Sequence, residues 1–317
     1  MDTFTSSCPT CEQPFEALAS SVGRVHACEY CGQECIVPSN RIAPGTQFGE
    51  YIIQYPLGLG ASGEVHLALD PEGCEVALKV LFLEGEEEEV DLRRFLRESD
   101  FISDLHHEGI IQIYGSGQEH GHYYIAMEYV VGETLDHHLE KFGELALADA
   151  IKICRDVASV MAYAWNSNRI VHRDIKPANL MVSYEGVTKV MDLGIAKSFM
   201  YDFTQLTDPE TIIGSPPYMS PEQCNPGKPI DFRADIYSLG CTLYQLVTGE
   251  FAFYGETPMA TVRMQIFEHH TDPRQWIPGL PQSFSNLIDS MLAKSISNRP
   301  PSWEHLIQQL DIVAAEI

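Results

Sequence analysis

Positive charge is scarce in this chain: 20 Lys and Arg stand against 45 Asp and Glu, a formal net charge of −25. Such a surface repels nucleic acid and anionic membranes over most of its area, which disfavours non-specific polyanion binding. Long apolar runs are missing too. None approaches the length that spans a bilayer, and Met1-Asp2-Thr3-Phe4 has no basic segment followed by an apolar one, so the expectation is a cytoplasmic protein with no membrane partner. There is no low-complexity segment, and the only repeat is a doubled Cys-x-x-Cys. The nine cysteines are too uneven for a disulfide framework, since five fall between Cys8 and Cys35. The other four, Cys74, Cys154, Cys224 and Cys241, are scattered through apolar sequence and are expected to be buried free thiols.

What is present divides at about residue 45. Residues 1–40 carry the clustered cysteines, and 41–47, after Val37-Pro38-Ser39-Asn40, reads as a linker rich in turn formers. From Tyr51 to Val80 short alternating apolar runs are broken by Gly58, Gly60, Gly63 and Asp70-Pro71-Glu72-Gly73, the pattern of antiparallel strands. An acidic run, Glu84 to Glu89, leads into Val90 to Leu105, where Leu92, Phe95, Leu96, Ile102 and Leu105 recur at helical spacing. Two more strands are expected at Ile110–Tyr114 and Tyr123–Val130. Helical patterns then dominate over Ala146–Trp165, Ala234–Val247 and Trp303–Val313. Strands come first and helices later, an α+β order.

Cys8-Pro9-Thr10-Cys11 and Cys28-Glu29-Tyr30-Cys31-Gly32 form two knuckles whose spacing can present four thiolates to one zinc ion at tetrahedral geometry. Forty residues with few large apolar side chains need such a staple. Four filled positions leave no open one for catalysis, so Cys8, Cys11, Cys28 and Cys31 predict a structural Zn2+. A redox pair or two disulfides are the alternatives. His26 and Cys35 are substitute ligands, although Cys35 in Glu34-Cys35-Ile36-Val37 reads as a packed strand residue. The segment resembles a zinc ribbon over these two knuckles. Residues 1–45 hold only Arg24 and Arg41 against five acids, so its surface suits a protein partner and not nucleic acid.

Gly58-Leu59-Gly60-Ala61-Ser62-Gly63 lies between two strand patterns, where glycines let a hairpin backbone approach phosphates and donate N–H groups. A dinucleotide-binding motif would continue as a helix, whereas Val65-His66-Leu67-Ala68-Leu69 continues as strand. Val76-Ala77-Leu78-Lys79-Val80 sets a lysine in an apolar strand, which is costly unless an anion meets it. Glu98 on the following helix can supply one, leaving the cation shared with nucleotide phosphate. An ordinary exposed helix glutamate is the alternative, given Arg94 and Arg97 nearby.

The most specific stretch is Val171-His172-Arg173-Asp174-Ile175-Lys176-Pro177-Ala178-Asn179-Leu180, with Asp192-Leu193-Gly194 beginning twelve positions after Leu180. With Gly58, Lys79, Glu98 and Gly214-Ser215-Pro216-Pro217-Tyr218-Met219-Ser220-Pro221-Glu222 in order, the chain from about Gln47 to Leu310 resembles the protein kinase family, and most closely its bacterial serine/threonine members. The resemblance implies a bilobal fold over 48–317, with a β-rich lobe over about 48–130 and a helical lobe over about 131–317. It implies ATP and Mg2+ (or Mn2+) as cofactors and protein Ser/Thr hydroxyls as substrates. Asp174 then accepts or orients the hydroxyl proton, Lys176 neutralises the transferred phosphate, and Asn179 and Asp192 hold the metal. Lys79 and Glu98 pair. The ATP-binding set becomes Leu57, Gly58, Gly60, Gly63, Val65, Ala77, Lys79, Met127, Glu128 and Val130. Asp235 resembles the aspartate that braces the catalytic loop, and Glu222 the partner of Arg299.

Leu193, Ser215 and Ser220 depart from the commonest family residues without removing a catalytic atom. A nucleotide-binding pseudokinase scaffold and a zinc-module adaptor are the competing readings; the first normally lacks one of Lys79, Asp174, Asn179 or Asp192. Arg173 beside Asp174 implies control by a phosphate on the loop before Glu222, with Thr211 the favoured acceptor and Thr207 second. The alternative is that these hydroxyls only solvate the loop.

Overall fold

Short apolar runs within the first forty residues form two antiparallel hairpins in the computed structural model, which describes residues 3–8, 11, 13–18, 25–37, 42–60, 63–81, 105–119, 122–193, 215–225 and 227–317. Strand β1 (Thr3–Ser7) pairs with β2 (Pro14–Leu18), and β3 (Val25–Ala27) with β4 (Glu34–Ile36). Cys8 and Cys11 fall between β1 and β2, and Cys28 and Cys31 between β3 and β4. Among the described residues buried apolar groups here are few, with Ala17 against Val37 and Phe15 beside both, so these strands have little core of their own.

The chain folds as two compact units, one of residues 1–104 and 112–130 and the other of residues 105–111 and 131–317. The first also holds a six-stranded sheet of order β5-β6-β7-β8-β10-β9. Its strands are β5 (Gln47–Phe48), β6 (Tyr51–Gly60), β7 (Gly63–Leu69), β8 (Glu75–Leu81), β9 (Ile113–Glu119) and β10 (His122–Glu128), paired antiparallel. Period-two alternation gives β8 two faces. Val76, Leu78 and Val80 are buried in a cluster with Ile42, Phe48, Tyr51, Ile53, Ala68, Tyr124 and Ala126. Of the stretch 41–47 read as linker, Ile42 lies in this cluster, Gly45 N–H donates to Ile53 O, and Ile53 N–H donates to Thr46 O.

In the second unit β11 (Gly132–Thr134), β12 (Leu180–Ser183) and β13 (Thr188–Val190) make a small sheet. The same unit holds α1 (Leu135–Phe142), α2 (Leu147–Asn168), α3 (Arg233–Thr248), α4 (Pro258–Phe267), α5 (Gln282–Met291) and α6 (Trp303–Ala314). The three helices expected from periodicity therefore form, with ends that differ from the apolar patterns by a few residues at most. Every residue of α3 except Arg233 is buried, which makes it the lobe's central post. No helix among the described residues is long and apolar enough to cross a membrane.

Two expectations need correction. Cys154 and Cys241 are buried, and burial pushes both thiols up, Cys241 to about 12; Cys74 is exposed and Cys224 only partly covered. Cys74 ends the tight turn between β7 and β8, where Asp70 Oδ1 accepts the N–H groups of Glu72 and Cys74, so its side chain leaves the sheet. The strand expected from Ile110 starts only at Ile113; Ile110 makes an isolated parallel bridge to Val190. The acidic run and the helix expected after it, up to residue 104, lie outside the described residues.

Candidate active site and metal centre

In the strand-rich unit the glycine segment is a hairpin, with β6 running to Gly60 and β7 resuming at Gly63. Gly63 has φ +151°, and an added Cβ would lie 2.0 Å from Val80 O, so only glycine lets β7 start against β8. Strand β7 goes on to Leu69 with no helix, which excludes the dinucleotide-binding alternative. Register sets the opposite face from the buried cluster. Lys79 lies between Val65 and Ile125, and Ala77 between Leu67 and Met127. Val65, Ala77, Lys79 and Met127 thus share one face. Lys79 is only partly covered, in contrast to Leu78 and Val80 on either side. Leu57, Glu128 and Val130 are half-buried in the same unit, with Glu128 N–H donating to Gln112 O. Gly58 pairs with Val65 and Gly60 with Gly63. Glu98 lies outside the described residues.

In the helical unit the Arg173–Asn179 loop is pinned from several sides. Asp235, in the first turn of α3, is fully buried; its two oxygens accept from His172 N–H and Arg173 N–H, both at 2.7 Å. Burial pushes its carboxyl up to about 6, opposed by His172, Arg173 and the two backbone donors. His172, itself buried, meets Met191 O through Nε2 at 3.0 Å, and Met191 N–H donates to Asn179 O at 2.9 Å. These bonds hold the segment before Asp192 against the loop. Arg173 and Asp192 adopt φ of 66° and 51°, left-handed values that a non-glycine residue keeps only where its surroundings over-determine it.

Around Asp174 the side chains converge. Lys176 Nζ is 3.1 Å from Asp174 Oδ2 and donates to Ser215 Oγ at 2.8 Å. Asn179 Nδ2 donates to Asp174 O at 2.8 Å and to Asp174 Oδ2 at 3.1 Å. That commits the amide's donor end and leaves Oδ1 as the oxygen Asn179 can offer a hard cation, together with the carboxylate of Asp192. The donor set fits Mg2+. Ile175 and Leu193 are buried, so the Leu193 departure keeps its apolar role. Arg299 donates to both oxygens of Glu222 at 2.6 and 2.8 Å, a buried bidentate pair. Gly194, Thr207 and Thr211 lie outside the described residues.

Sequence reasoning missed Gln223, whose Nε2 donates to Arg173 O at 2.8 Å. It also missed Tyr218, which donates to Gln245 on α3. Neither partner is near in sequence; the only local hint is a polar residue directly after the Ser-Pro-Glu segment.

The four sulfurs of Cys8, Cys11, Cys28 and Cys31 lie within 4.8 Å of one another, with Cys8 to Cys31 at 3.8 Å and Cys11 to Cys28 at 3.6 Å. Thiolates around tetrahedral zinc at about 2.3 Å stand roughly 3.8 Å apart, so the spacing fits. The two knuckles match in detail. Cys8 N–H donates to Gln13 O and Cys28 N–H to Gln33 O, both at 2.9 Å, while Gly32 takes φ +71° to turn the second knuckle. His26, the substitute ligand, stacks on Phe15 with ring centroids 4.3 Å apart and lies outside the four-sulfur group, and Cys35 is its register partner across the β3–β4 hairpin.

A glycine hairpin followed by a lysine strand, and a helical unit carrying a braced Asp–Lys–Asn loop, define a protein of the kinase class. The chain belongs to the protein kinase family, whose domain model matches residues 51–310. Among curated proteins it is 37% identical to serine/threonine-protein kinase PrkC of Bacillus subtilis, over 81% of this chain and 39% of that one. It is 35% identical to the probable serine/threonine-protein kinase PknB of Bifidobacterium longum, over 79% of this chain and 38% of the relative. The chain thus spans under two-fifths of the length of these relatives. Among solved structures, the PknI kinase domain of Mycobacterium tuberculosis aligns with TM-score 0.70 at 26% identity, covering 86% of this chain and 99% of that one. The α+β protein kinase fold expected from the sequence is therefore established.

Proposed function

We propose that this chain is an ATP-dependent serine/threonine protein kinase that moves the γ-phosphoryl group of Mg-ATP to protein hydroxyls, its own included. The observation that carries this reading is the Asp174 carboxylate held by Lys176 and Asn179 on a loop whose backbone Asp235 fixes. A pseudokinase has no need of that arrangement. Asp174 accepts or orients the substrate hydroxyl proton, and Lys176, 3.1 Å away, neutralises charge on the transferred phosphate. Lys79 with Glu98 places the nucleotide phosphates. Leu57, Val65, Ala77 and Met127 enclose the base, the backbone of Glu128 and Val130 reads its edge, and Gly58, Gly60 and Gly63 admit the phosphates. Asn179 and Asp192 would hold Mg2+, which supplies charge neutralisation when bound. Lysine two residues after Asp174, followed by Pro177, fits aliphatic hydroxyl substrates.

The N-terminal module takes one structural zinc through Cys8, Cys11, Cys28 and Cys31 and offers a surface to a protein partner. Four sulfurs at tetrahedral spacing support the metal. Purified protein incubated with Mg2+ and ATP, then mapped by mass spectrometry, tests the main reading. Phosphoserine or phosphothreonine is expected, and Asp174→Asn should retain ATP binding while losing transfer by orders of magnitude. Near-normal turnover in that variant would sink the assignment.

A further inference from the structure

We propose that Gln223 is a positioning residue for Asp174, a strap that locks the peptide between Arg173 and Asp174 to the segment that begins at Ser215. This inference rests on the kinase reading of the site. Gln223 is buried and uses both ends of its amide. Nε2 donates to Arg173 O at 2.8 Å, while Oε1 accepts from Ser220 N–H and Ser220 Oγ, each at 3.0 Å. Ser220 is buried as well.

The residue so held is unusual. Arg173 takes φ +66°, a left-handed state that crowds the Cβ of any residue other than glycine. Its N–H is fixed by Asp235 on α3 and its C=O by Gln223 on a separate segment. Asp235 alone fixes only the two peptides on either side of His172. The peptide that leaves Arg173, whose rotation swings Asp174, is set by Gln223. Without the amide donor the Arg173 carbonyl has lost the bond that holds it, and the left-handed conformation relaxes more readily. Asp174 then moves relative to Lys176 and Asn179, and displacement of a reacting group by about 1 Å can cost on the order of 100-fold in rate. Because Oε1 grips Ser220, the same amide reports the placement of the segment that begins at Ser215, which touches Lys176. Gln223 therefore ties the order of that segment to catalytic geometry without touching substrate.

The test compares Gln223→Leu and Gln223→Glu with the parent chain. For Gln223→Leu we expect kcat to fall about 10- to 100-fold while KM for ATP stays within about two-fold. Gln223→Glu can donate to Arg173 O only as the neutral acid, so its activity relative to the parent should rise as pH falls from about 8 to about 6. Hydrogen exchange of the peptide spanning residues 171–180 should be faster in Gln223→Leu than in the parent. This readout needs no turnover, so it decides the proposal even if the parent proves inactive, an outcome that would refute the kinase reading alone. Unchanged exchange in Gln223→Leu overturns the strap. So does a Gln223→Glu variant that tracks Gln223→Leu at every pH with kcat and melting temperature falling together, since a purely structural role predicts that.

Discussion

Replacing Arg299 with methionine exposes the energetics that hold the segment after Ser215 in place. The guanidinium makes two bonds to Glu222, at 2.6 and 2.8 Å, one to Arg233 O at 2.9 Å and one to Ala293 O at 2.8 Å. Both partners are nearly inaccessible, 3% for Arg299 and 2% for Glu222. Methionine fills most of the volume but strands a buried carboxylate, and breaking such a pair from one side costs about 3–5 kcal/mol. Against a total stability of about 5–15 kcal/mol the helical lobe becomes marginal. With a urea slope of about 2–3 kcal/mol/M, the midpoint should drop by about 1–2.5 M, read by the fluorescence of Trp165, Trp276 and Trp303 in that lobe. The double variant Glu222→Met with Arg299→Met removes both charges, so it should be more stable than Arg299→Met alone. A midpoint within about 0.2 M of the parent for Arg299→Met, or a double variant less stable than either single one, would refute the reasoning. The consequence reaches the chemistry because Gln223 follows Glu222 directly and bonds Arg173 O.

Chelation of freshly purified, reduced protein should release one zinc per chain and unfold residues 3–37 while the kinase domain keeps its cooperative melt; absence of zinc by elemental analysis would count against the four-thiolate site. Activity should fall as pH drops through about 6, where Asp235 gains a proton and loses acceptor capacity for His172 and Arg173. Stability should move the other way, because a carboxyl raised from 3.8 to about 6 contributes stability that is present below 3.8 and lost as pH rises through 6. Parallel loss of activity and stability on acidification would show that another group controls both. If loop phosphorylation switches the enzyme, Thr211→Ala combined with Thr207→Ala should lower the initial rate of peptide phosphorylation; an unchanged rate would remove these sites from control.

The parts of the molecule legible in its sequence are those whose determinants are local. Asp174, Lys176 and Asn179 lie within one short loop, so their order in the chain already places them together, and the 3.1 Å contacts follow. The cysteine knuckles read the same way, since each Cys-x-x-Cys is set by local spacing and the four sulfurs come together within 4.8 Å. Helices α2, α3 and α6 are visible because apolar residues recur at helical spacing and the faces they form are buried. Side chains that act across the fold are not visible. Gln223 reaches a carbonyl 50 positions earlier, and nothing in Ser-Pro-Glu-Gln announces an acceptor so distant. Cys74 misleads because strands flank it, yet Asp70 closes a turn there and turns the thiol out to solvent. The left-handed Arg173 is equally hidden, because its conformation is imposed by Asp235 and Gln223 and not by its own propensity.

That imposed conformation explains why so many buried polar groups surround one short loop. A carboxylate positioned by an ordinary relaxed turn would sample several placements, each costing rate at the reacting hydroxyl. Here the turn is held in a sparsely populated backbone state, and the donors and acceptors that hold it come from α3, from the segment after Ser215 and from the strand leading to Asp192. Removing any one of them lets the backbone relax away from the arrangement, so the three supports act together rather than additively. The fully buried Asp235 is tolerated on the same grounds: two backbone donors at 2.7 Å offset part of its desolvation, and burial still holds its carboxyl up to about 6. Asp235→Asn tests this directly, since an amide offers only one oxygen to two N–H groups and must turn a donor toward one of them. Its denaturation midpoint should stay near the parent's, because removal of the buried charge offsets the lost bond, whereas hydrogen exchange over residues 171–180 should rise as in Gln223→Leu. Exchange at the parent's rate in Asp235→Asn would mean that the Arg173 backbone holds its left-handed state without this support.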